Sequence, residues 1–102
     1  MYPSDDPVLP GSIFDESARL SIGDLSRLCA VDERHIVEFV EEGVLHVVDV
    51  STEWRFTGDE LRRARLALRL EKDLELNLAG VALAVELIDE ISQLRRELKA
   101  RR

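Results

Sequence analysis

The last quarter of the chain, residues 78–102, constrains the fold most, because it predicts a single helix that is long for a protein of 102 residues. The segment contains no proline, and Asn77 just before it can cap the first turn with its side-chain oxygen. At ~1.5 Å per residue, such a helix is roughly 37 Å long. We therefore expect the other elements to be arranged around it.

The apolar pattern of this helix changes along its length. Residues 81–88 are almost continuously apolar, with Val81, Val85 and Ile88 in one row, which predicts burial against the rest of the domain. The second half keeps a narrow coiled-coil-like seam, preceded by Leu83 and consisting of Leu87, Ile91, Leu94 and Leu98. The run is too short to establish a coiled coil, so either a homodimer interface or packing within the monomer explains it.

The composition predicts a single small domain that avoids nucleic acid. The formal net charge is −7, which repels phosphates at long range and favours a basic partner. One cysteine, Cys29, excludes an internal disulfide and a cysteine-based zinc site. The apolar run at 78–88 is too short to span a membrane, and the first residues lack a basic-then-apolar signal, so we expect a cytoplasmic protein with no metal or other cofactor.

Two short helices follow a loose, proline-containing lead-in at residues 1–19. Ser21, with Asp24 three residues later, predicts the start of the first helix. Asp32 is expected to cap the second, and Gly43 suits the left-handed position after it. Two helices joined by a tight turn predict a helix-turn-helix at residues 21–43.

The remaining elements complete one domain at residues 20–102. Residues 44–56 change to a β-prone pattern and predict a two-stranded wing. Thr57 with Glu60 forms a capping-box pattern before a third helix at 58–73, and the long helix occupies 78–102. The outer face of the third helix is basic, and we expect its arginines to pair with nearby carboxylates such as Glu71 rather than with nucleic acid.

Several segments resemble known regulators. The sequences SIGDLSRL at 21–28, EGVL at 42–45 and WRFT at 54–57 resemble the winged helix-turn-helix domain of MerR-type regulators. The sequence LEKDLELNLAGVALAVELIDEI at 70–91 is similar to the end of the CbpM-type chaperone modulators, which carry a MerR-like fold without a separate effector domain. The resemblance implies a mainly α fold with a small two-stranded wing and a long C-terminal helix.

The same resemblance implies a function through protein–protein contact. CbpM-type proteins bind the J-domain of CbpA, a DnaJ-like co-chaperone, and inhibit its co-chaperone and DNA-binding activities. No cofactor, metal or membrane is implied. The resemblance does not identify the particular J-protein, the face that binds it or the stoichiometry.

The charges of the second helix agree with a protein partner better than with DNA. Helices that read DNA offer Arg, Lys, Asn or Gln to bases and phosphates, whereas this helix offers Glu38, Glu41 and Glu42. The hypothesis is that these glutamates dock on the basic helix that a J-domain presents to DnaK. The competing interpretation is that they form the solvated side of a surface helix. The alternative function is a MerR-like DNA-binding transcriptional regulator.

Trp54 and the two histidines complete the candidate residues. Trp54 is either an interface residue or, as we favour, an anchor of the wing beside Phe56. His35 and His46 lie in separate elements, and no Ser, Cys or carboxylate stands at a motif spacing to either, so no enzymatic activity is expected. A third interpretation is an adaptor that dimerises through the seam of the last helix.

Overall fold

The computed structural model describes residues 19–48 and 53–101, which form four helices and two short strands. In chain order these are β1 (Leu20–Ser21), α1 (Ile22–Cys29), α2 (Glu33–Glu41), β2 (Arg55–Phe56), α3 (Gly58–Leu74) and α4 (Leu78–Ala100). The predicted mainly helical fold is confirmed. The lead-in predicted at 1–19 lies outside the described residues except for its last position.

Short-range signals in the sequence set the helix starts. At α1, Ser21 Oγ accepts from the Asp24 amide at 3.0 Å, and Asp24 Oδ2 accepts from the Ser21 amide at 2.9 Å, so the predicted capping box is present. At α4, Asn77 Oδ1 accepts from the Gly80 amide at 2.8 Å. Asp32 occupies the N-cap position of α2, but its side chain makes no capping hydrogen bond.

Left-handed residues follow the first three helices. Gly43 follows the C-cap of α2 with φ +82°, as its position predicted. Ala30 and Glu75 take the same region, at φ 58° and 52°, after α1 and α3. A left-handed backbone is unfavourable for residues with a Cβ, so these two positions mark enforced turns between packed helices. The third helix ends at Leu74, one residue later than predicted.

The small sheet differs from the predicted wing hairpin. Its strands are β1 and β2, paired antiparallel with Leu20 opposite Phe56 and Ser21 opposite Arg55. Residues 44–48, predicted to begin a strand, are irregular, although the Val48 amide donates to the Arg55 carbonyl at 2.8 Å. Val44 and Leu45 are both buried in the core, whereas consecutive side chains of a wing strand with one solvated face would alternate between core and water. The predicted turn at 51–52 lies outside the described residues.

A single apolar core joins all four helices. Its fully buried members are Leu25, Ile36, Phe39, Val44, Leu45, Phe56, Leu61, Ala64, Ala67, Leu70, Val81 and Val85. The helices α3 and α4 pack against each other, and to the shared core α3 contributes the small side chains of Ala64 and Ala67 while α4 contributes Val81 and Val85. Within α3, Leu61 and Ala64 are buried, and Leu66 and Leu68 are half-buried.

Only the first half of α4 packs on this core. Val81 and Val85 are fully buried, and Ile88 is partly buried against the core. From 89 to 100 every residue is exposed. The second half of α4 therefore projects from the domain.

A candidate docking face on the second helix

The packing of α2 fixes which of its sides faces outward. Ile36 and Phe39 are fully buried in the core. His35 holds the helix against α3, because its Nε2 lies 2.7 Å from Glu71 Oε1 and its ring meets Phe39 edge-on at 4.9 Å. The side opposite these residues is presented to solvent.

Three glutamates cluster at the C-terminal end of α2, where Glu38 and Glu41 lie in the last turn and Glu42 is the C-cap residue after it. Glu41 and Glu42 are exposed, and Glu38 is half-buried. We call these three residues the acidic face. The last turn of α2 contains no basic residue, and Arg34 lies one turn before Glu38. The carbonyl end of a helix carries a partial negative charge of its own, so the carboxylates and the helix dipole add to one negative potential.

The acidic face has the features of a surface that attracts a positively charged protein, not those of a metal or catalytic site. Among the described residues, no group of three His, Cys, Asp or Glu side chains is placed to hold a metal ion. Glu41 and Glu42 are exposed to water, and Glu38 is exposed in part. A negative surface of this kind is complementary in charge to a basic partner, and such complementarity fixes orientation and speeds encounter.

Trp54 packs on the core and is not part of the acidic face. It immediately precedes β2, is half-buried and packs against the core. This environment suits an anchor of the segment that leads to β2. An interface role for Trp54 stays a prediction.

Two arginines of α3, Arg63 and Arg65, make contacts within the domain. Arg63 Nε donates to the Val44 carbonyl at 3.0 Å, and its guanidinium forms an ion pair with Asp89 on α4. Arg65 Nη1 donates to the Leu28 carbonyl at 3.1 Å. Glu71, predicted to pair with these arginines, pairs with His35. Arg63 and Arg65 therefore support the fold and do not form a nucleic-acid patch.

The capping-box pattern predicted one of the two contacts that Glu60 makes. Thr57 Oγ1 does accept from the Glu60 amide at 3.4 Å, but Glu60 Oε1 accepts from the His46 amide at 2.8 Å instead of closing the capping box. Burial raises the pKa of Glu60, opposed by the His46 amide and by Arg63. The carboxylate thus ties the irregular segment at 44–48 to α3. The capping-box spacing identified Thr57, but no local signal points to a backbone amide 14 residues away.

Comparison with known proteins identifies the family. Residues 20–102 match the family described as MerR HTH family regulatory protein. A Chaperone modulatory protein CbpM from Coxiella burnetii (strain Dugway 5J108-111) is 33% identical over 93 residues, which cover 90% of this chain and 88% of the relative. One from Pseudomonas putida (strain W619) is 38% identical over 78 residues, covering 72% of this chain and 77% of the relative. The chain belongs to the CbpM family.

Membership in the CbpM family confirms the resemblance noted in the sequence. The CbpM relatives are named as chaperone modulatory proteins, and the wider MerR family as regulators, so neither name describes an enzyme. Chaperone modulation is accordingly better supported for this CbpM family member than DNA-binding regulation. None of the described helices has the length and apolar character needed to cross a membrane.

Proposed function

We propose that this chain binds the J-domain of a CbpA/DnaJ-type co-chaperone through the acidic face and thereby inhibits its co-chaperone and DNA-binding activities. The observation that carries this proposal is the placement of Glu38, Glu41 and Glu42. They occupy the one end of α2 where negative charge is unfavourable for helix stability. Departures from local stability rules are expected at functional sites.

The proposed contact is electrostatic and competitive. A J-domain, by its family character, presents a basic helix to DnaK. The acidic face is complementary to such a helix, so occupying it excludes DnaK from the same surface. The name shared by the CbpM relatives supports a chaperone-related partner.

The same face argues against direct DNA binding. In a helix-turn-helix the second helix is the one that enters the major groove. Here that helix would bring the acidic face towards phosphates, and the repulsion would lower affinity. Two arginines of α3, Arg63 and Arg65, are held by backbone carbonyls within the domain and are not arranged to compensate.

Titration calorimetry with a purified CbpA-type J-domain at two salt concentrations tests the proposal. We expect binding that weakens as salt rises, because the pairs are close to the surface and are screened. Replacing Glu38, Glu41 and Glu42 together with lysine is expected to weaken binding by at least about tenfold, or 1.4 kcal/mol. Unchanged affinity of this triple variant would refute the acidic face as the docking site.

A matched control separates the acidic face from overall charge. The double variant Glu41→Lys/Glu42→Lys changes two exposed residues at the C-terminal end of α2. Asp73→Lys/Glu75→Lys makes the same change in charge at two exposed residues at the end of α3. The proposal requires the first pair to weaken J-domain binding far more than the second. Equal losses would show that only net charge matters.

A further inference from the structure

A groove with an excess of positive charge lies between the first turns of α3 and the second half of α4. Its volume is about 430 Å³. Arg62, Arg63 and Arg96 line it together with Asp59 and Asp89. This excess is opposite in sign to the net charge of the whole chain, which is −7. The groove therefore attracts a negatively charged group more strongly than the surrounding surface does.

The groove is separate from the acidic face and from the seam of the last helix. The acidic face lies on α2, whereas α3 and α4 form the groove. The seam is exposed, at 50% for Leu87, 44% for Ile91, 55% for Leu94 and 64% for Leu98, and these four residues do not line the groove. A homodimer contact along the seam stays a prediction. A ligand in the groove contacts residues that belong to neither surface.

Two of the three arginines are placed to bind a carboxylate. Arg63 is held within the domain by the Val44 carbonyl and by Asp89. Arg62 and Arg96 are exposed, one on each of the two helices that form the groove. Arg62 also has an interaction within the folded chain, but a guanidinium carries five N–H donors and can serve more than one acceptor. Arg62 and Arg96 therefore offer charged donors from two helices to the same ligand.

The groove also has an apolar part. Leu66 on α3 lines it and is half-buried. A peptide that carries an apolar side chain beside a carboxylate can cover Leu66 while it pairs with the arginines. The two aspartates disfavour a phosphate group, because its negative charge at neutral pH is larger than that of a carboxylate. The groove is therefore suited to an acidic peptide segment.

The small sheet places the entry of the chain into the fold beside this groove. Its strands are antiparallel, with Leu20 opposite Phe56. In such a pair, the residues before Leu20 run in the direction that the chain takes after Phe56. That direction leads to Gly58, where α3 begins, and Arg62 of the groove lies in the second turn of α3. The chain therefore enters the fold at the end of α3 that carries the groove.

The sequence just before this entry point has the composition that the groove requires. Residues 1–18 contain four carboxylates and neither lysine nor arginine. Within them, residues 13–16 read Ile-Phe-Asp-Glu, two apolar residues followed by two acidic ones. We propose that residues 13–16 bind the groove of their own chain, where the carboxylates of Asp15 and Glu16 pair with its arginines. Phe14 then covers Leu66.

The length of the chain permits this contact, and the tether favours it. Asp15 lies five residues before Leu20, and such a span reaches up to roughly 17 Å at ~3.3 Å per residue. Arg62 lies only roughly 6 Å along α3 from Gly58, at ~1.5 Å per residue. Because both partners belong to one chain, the short tether gives an effective concentration on the order of millimolar. A contact too weak to hold a separate peptide is therefore still populated.

Paramagnetic broadening in NMR spectra of the full chain tests the contact. A spin label is attached at Ser12→Cys in a Cys29→Ala background, so that it lies next to residues 13–16 in sequence. We expect the label to broaden the amide signals of Leu66 and Gln93, which line the groove, more than those of the other exposed surfaces. Broadening spread evenly over the surface would overturn the proposal.

Charge reversal separates a specific contact from chance proximity. In Arg62→Glu/Arg96→Glu we expect the broadening at the groove to be lost, because like charges then face each other. The matched control, Arg34→Glu/Arg101→Glu, makes the same change in charge at two exposed residues outside the groove and should leave the broadening intact. Equal effects of the two double variants would show that net charge alone matters and would refute the contact.

Rescue and mixing experiments identify the occupant of the groove. Adding Asp15→Arg/Glu16→Arg to the charge-reversed groove is expected to restore the broadening, and failure to restore it would contradict the proposed pairing. A second sample mixes spin-labelled chains without ¹⁵N with ¹⁵N-labelled chains that carry no spin label. Its broadening at the groove should be weak, because the contact forms within one chain. Equal broadening in the mixture would show that another molecule supplies the segment and would overturn the proposal.

Limited digestion with chymotrypsin measures the strength of the contact. Cleavage after Phe14 requires residues 13–16 to leave the groove, so its rate follows the fraction of chains in which the groove is empty. We expect cleavage to be about fivefold faster in Arg62→Glu/Arg96→Glu than in the wild type, the factor that corresponds to ~1 kcal/mol for two ion pairs near the surface. Equal rates in the two chains would rule the contact out.

Discussion

Two carboxylates near helix starts, Asp24 and Glu60, have opposite electrostatic surroundings. The hydrogen bond from the Ser21 amide lowers the pKa of Asp24, with a further contribution from Arg27, although burial opposes it. Burial raises the pKa of Glu60, and the His46 amide and Arg63 only partly offset it. The folded chain therefore favours ionisation of Asp24 and disfavours ionisation of Glu60.

These shifts predict opposite pH dependences for Glu60→Gln and Asp24→Asn. The folded chain protonates Glu60 at a higher pH than the unfolded chain does. The wild type should therefore gain stability relative to Glu60→Gln as pH falls through the folded pKa, levelling off below about 4.5. The stability from Asp24 is present above about pH 3.8 and is lost as pH falls through its lower folded pKa. Urea unfolding followed by the fluorescence of the single Trp measures both, and parallel curves for the two variants would contradict the assignment.

At the scale of the element, α2 combines a well-packed inner side with an unfavourable C-terminal end. Glu33 lies in its first turn, where negative charge complements the helix dipole, whereas Glu41 is its last residue. The same residue type therefore contributes with opposite sign at the two ends of one helix.

Charge reversal at each end of α2 should separate stability from binding. Glu41→Lys is expected to raise the free energy of unfolding by ~0.3–1 kcal/mol, and Glu33→Lys to lower it by a similar amount. If the acidic face binds the J-domain, the stabilised Glu41→Lys variant is also the weaker binder. Urea unfolding together with calorimetry checks both quantities. A variant that is destabilised and binds weakly would indicate damage to the helix instead.

Helix boundaries set by residues close in sequence were predictable, whereas the pairing of strands that are distant in sequence was not. Ser21 with Asp24, Asn77 and Gly43 each act within a few residues, and each marked a helix boundary correctly. The β-prone residues Val44 and Leu45 were predicted to form a strand, but burial of both in the core outweighs their intrinsic preference. The partner of β2 is β1, a two-residue strand for which the sequence carries no distinct pattern.

At the scale of the whole molecule, Arg63 connects three parts of the domain. From α3 it donates to the Val44 carbonyl after α2 and forms an ion pair with Asp89 on α4, and its side chain is only 18% exposed. The periodicity of α3 placed this arginine on an outer basic face. It could not show that an irregular segment and α4 would cover that face, since both contacts depend on tertiary arrangement.

Replacing Arg63 should weaken the whole domain more than replacing a surface arginine. Arg63→Gln loses a charged hydrogen bond and an ion pair in a shielded position, with an expected loss of ~1–3 kcal/mol in the free energy of unfolding. Arg27→Gln is the control, because its pair with Asp24 leaves the Arg27 side chain 74% exposed and is expected to contribute under about 1 kcal/mol. Chemical denaturation compares the two, and equal losses would show that Arg63 does not hold the domain together.

The projecting half of α4 has a consequence for how the helix content of the chain responds to heating. Beyond Asp89, where Arg63 holds the helix to the domain, about three turns extend into water without support from the core. Helical segments of this length are marginal on their own in water. We therefore expect a helix–coil equilibrium at the C-terminal end of α4, in which the last turns unwind at temperatures where the core is still folded. On heating, the helix content of the chain should then fall in two stages, first at this end and later with the core.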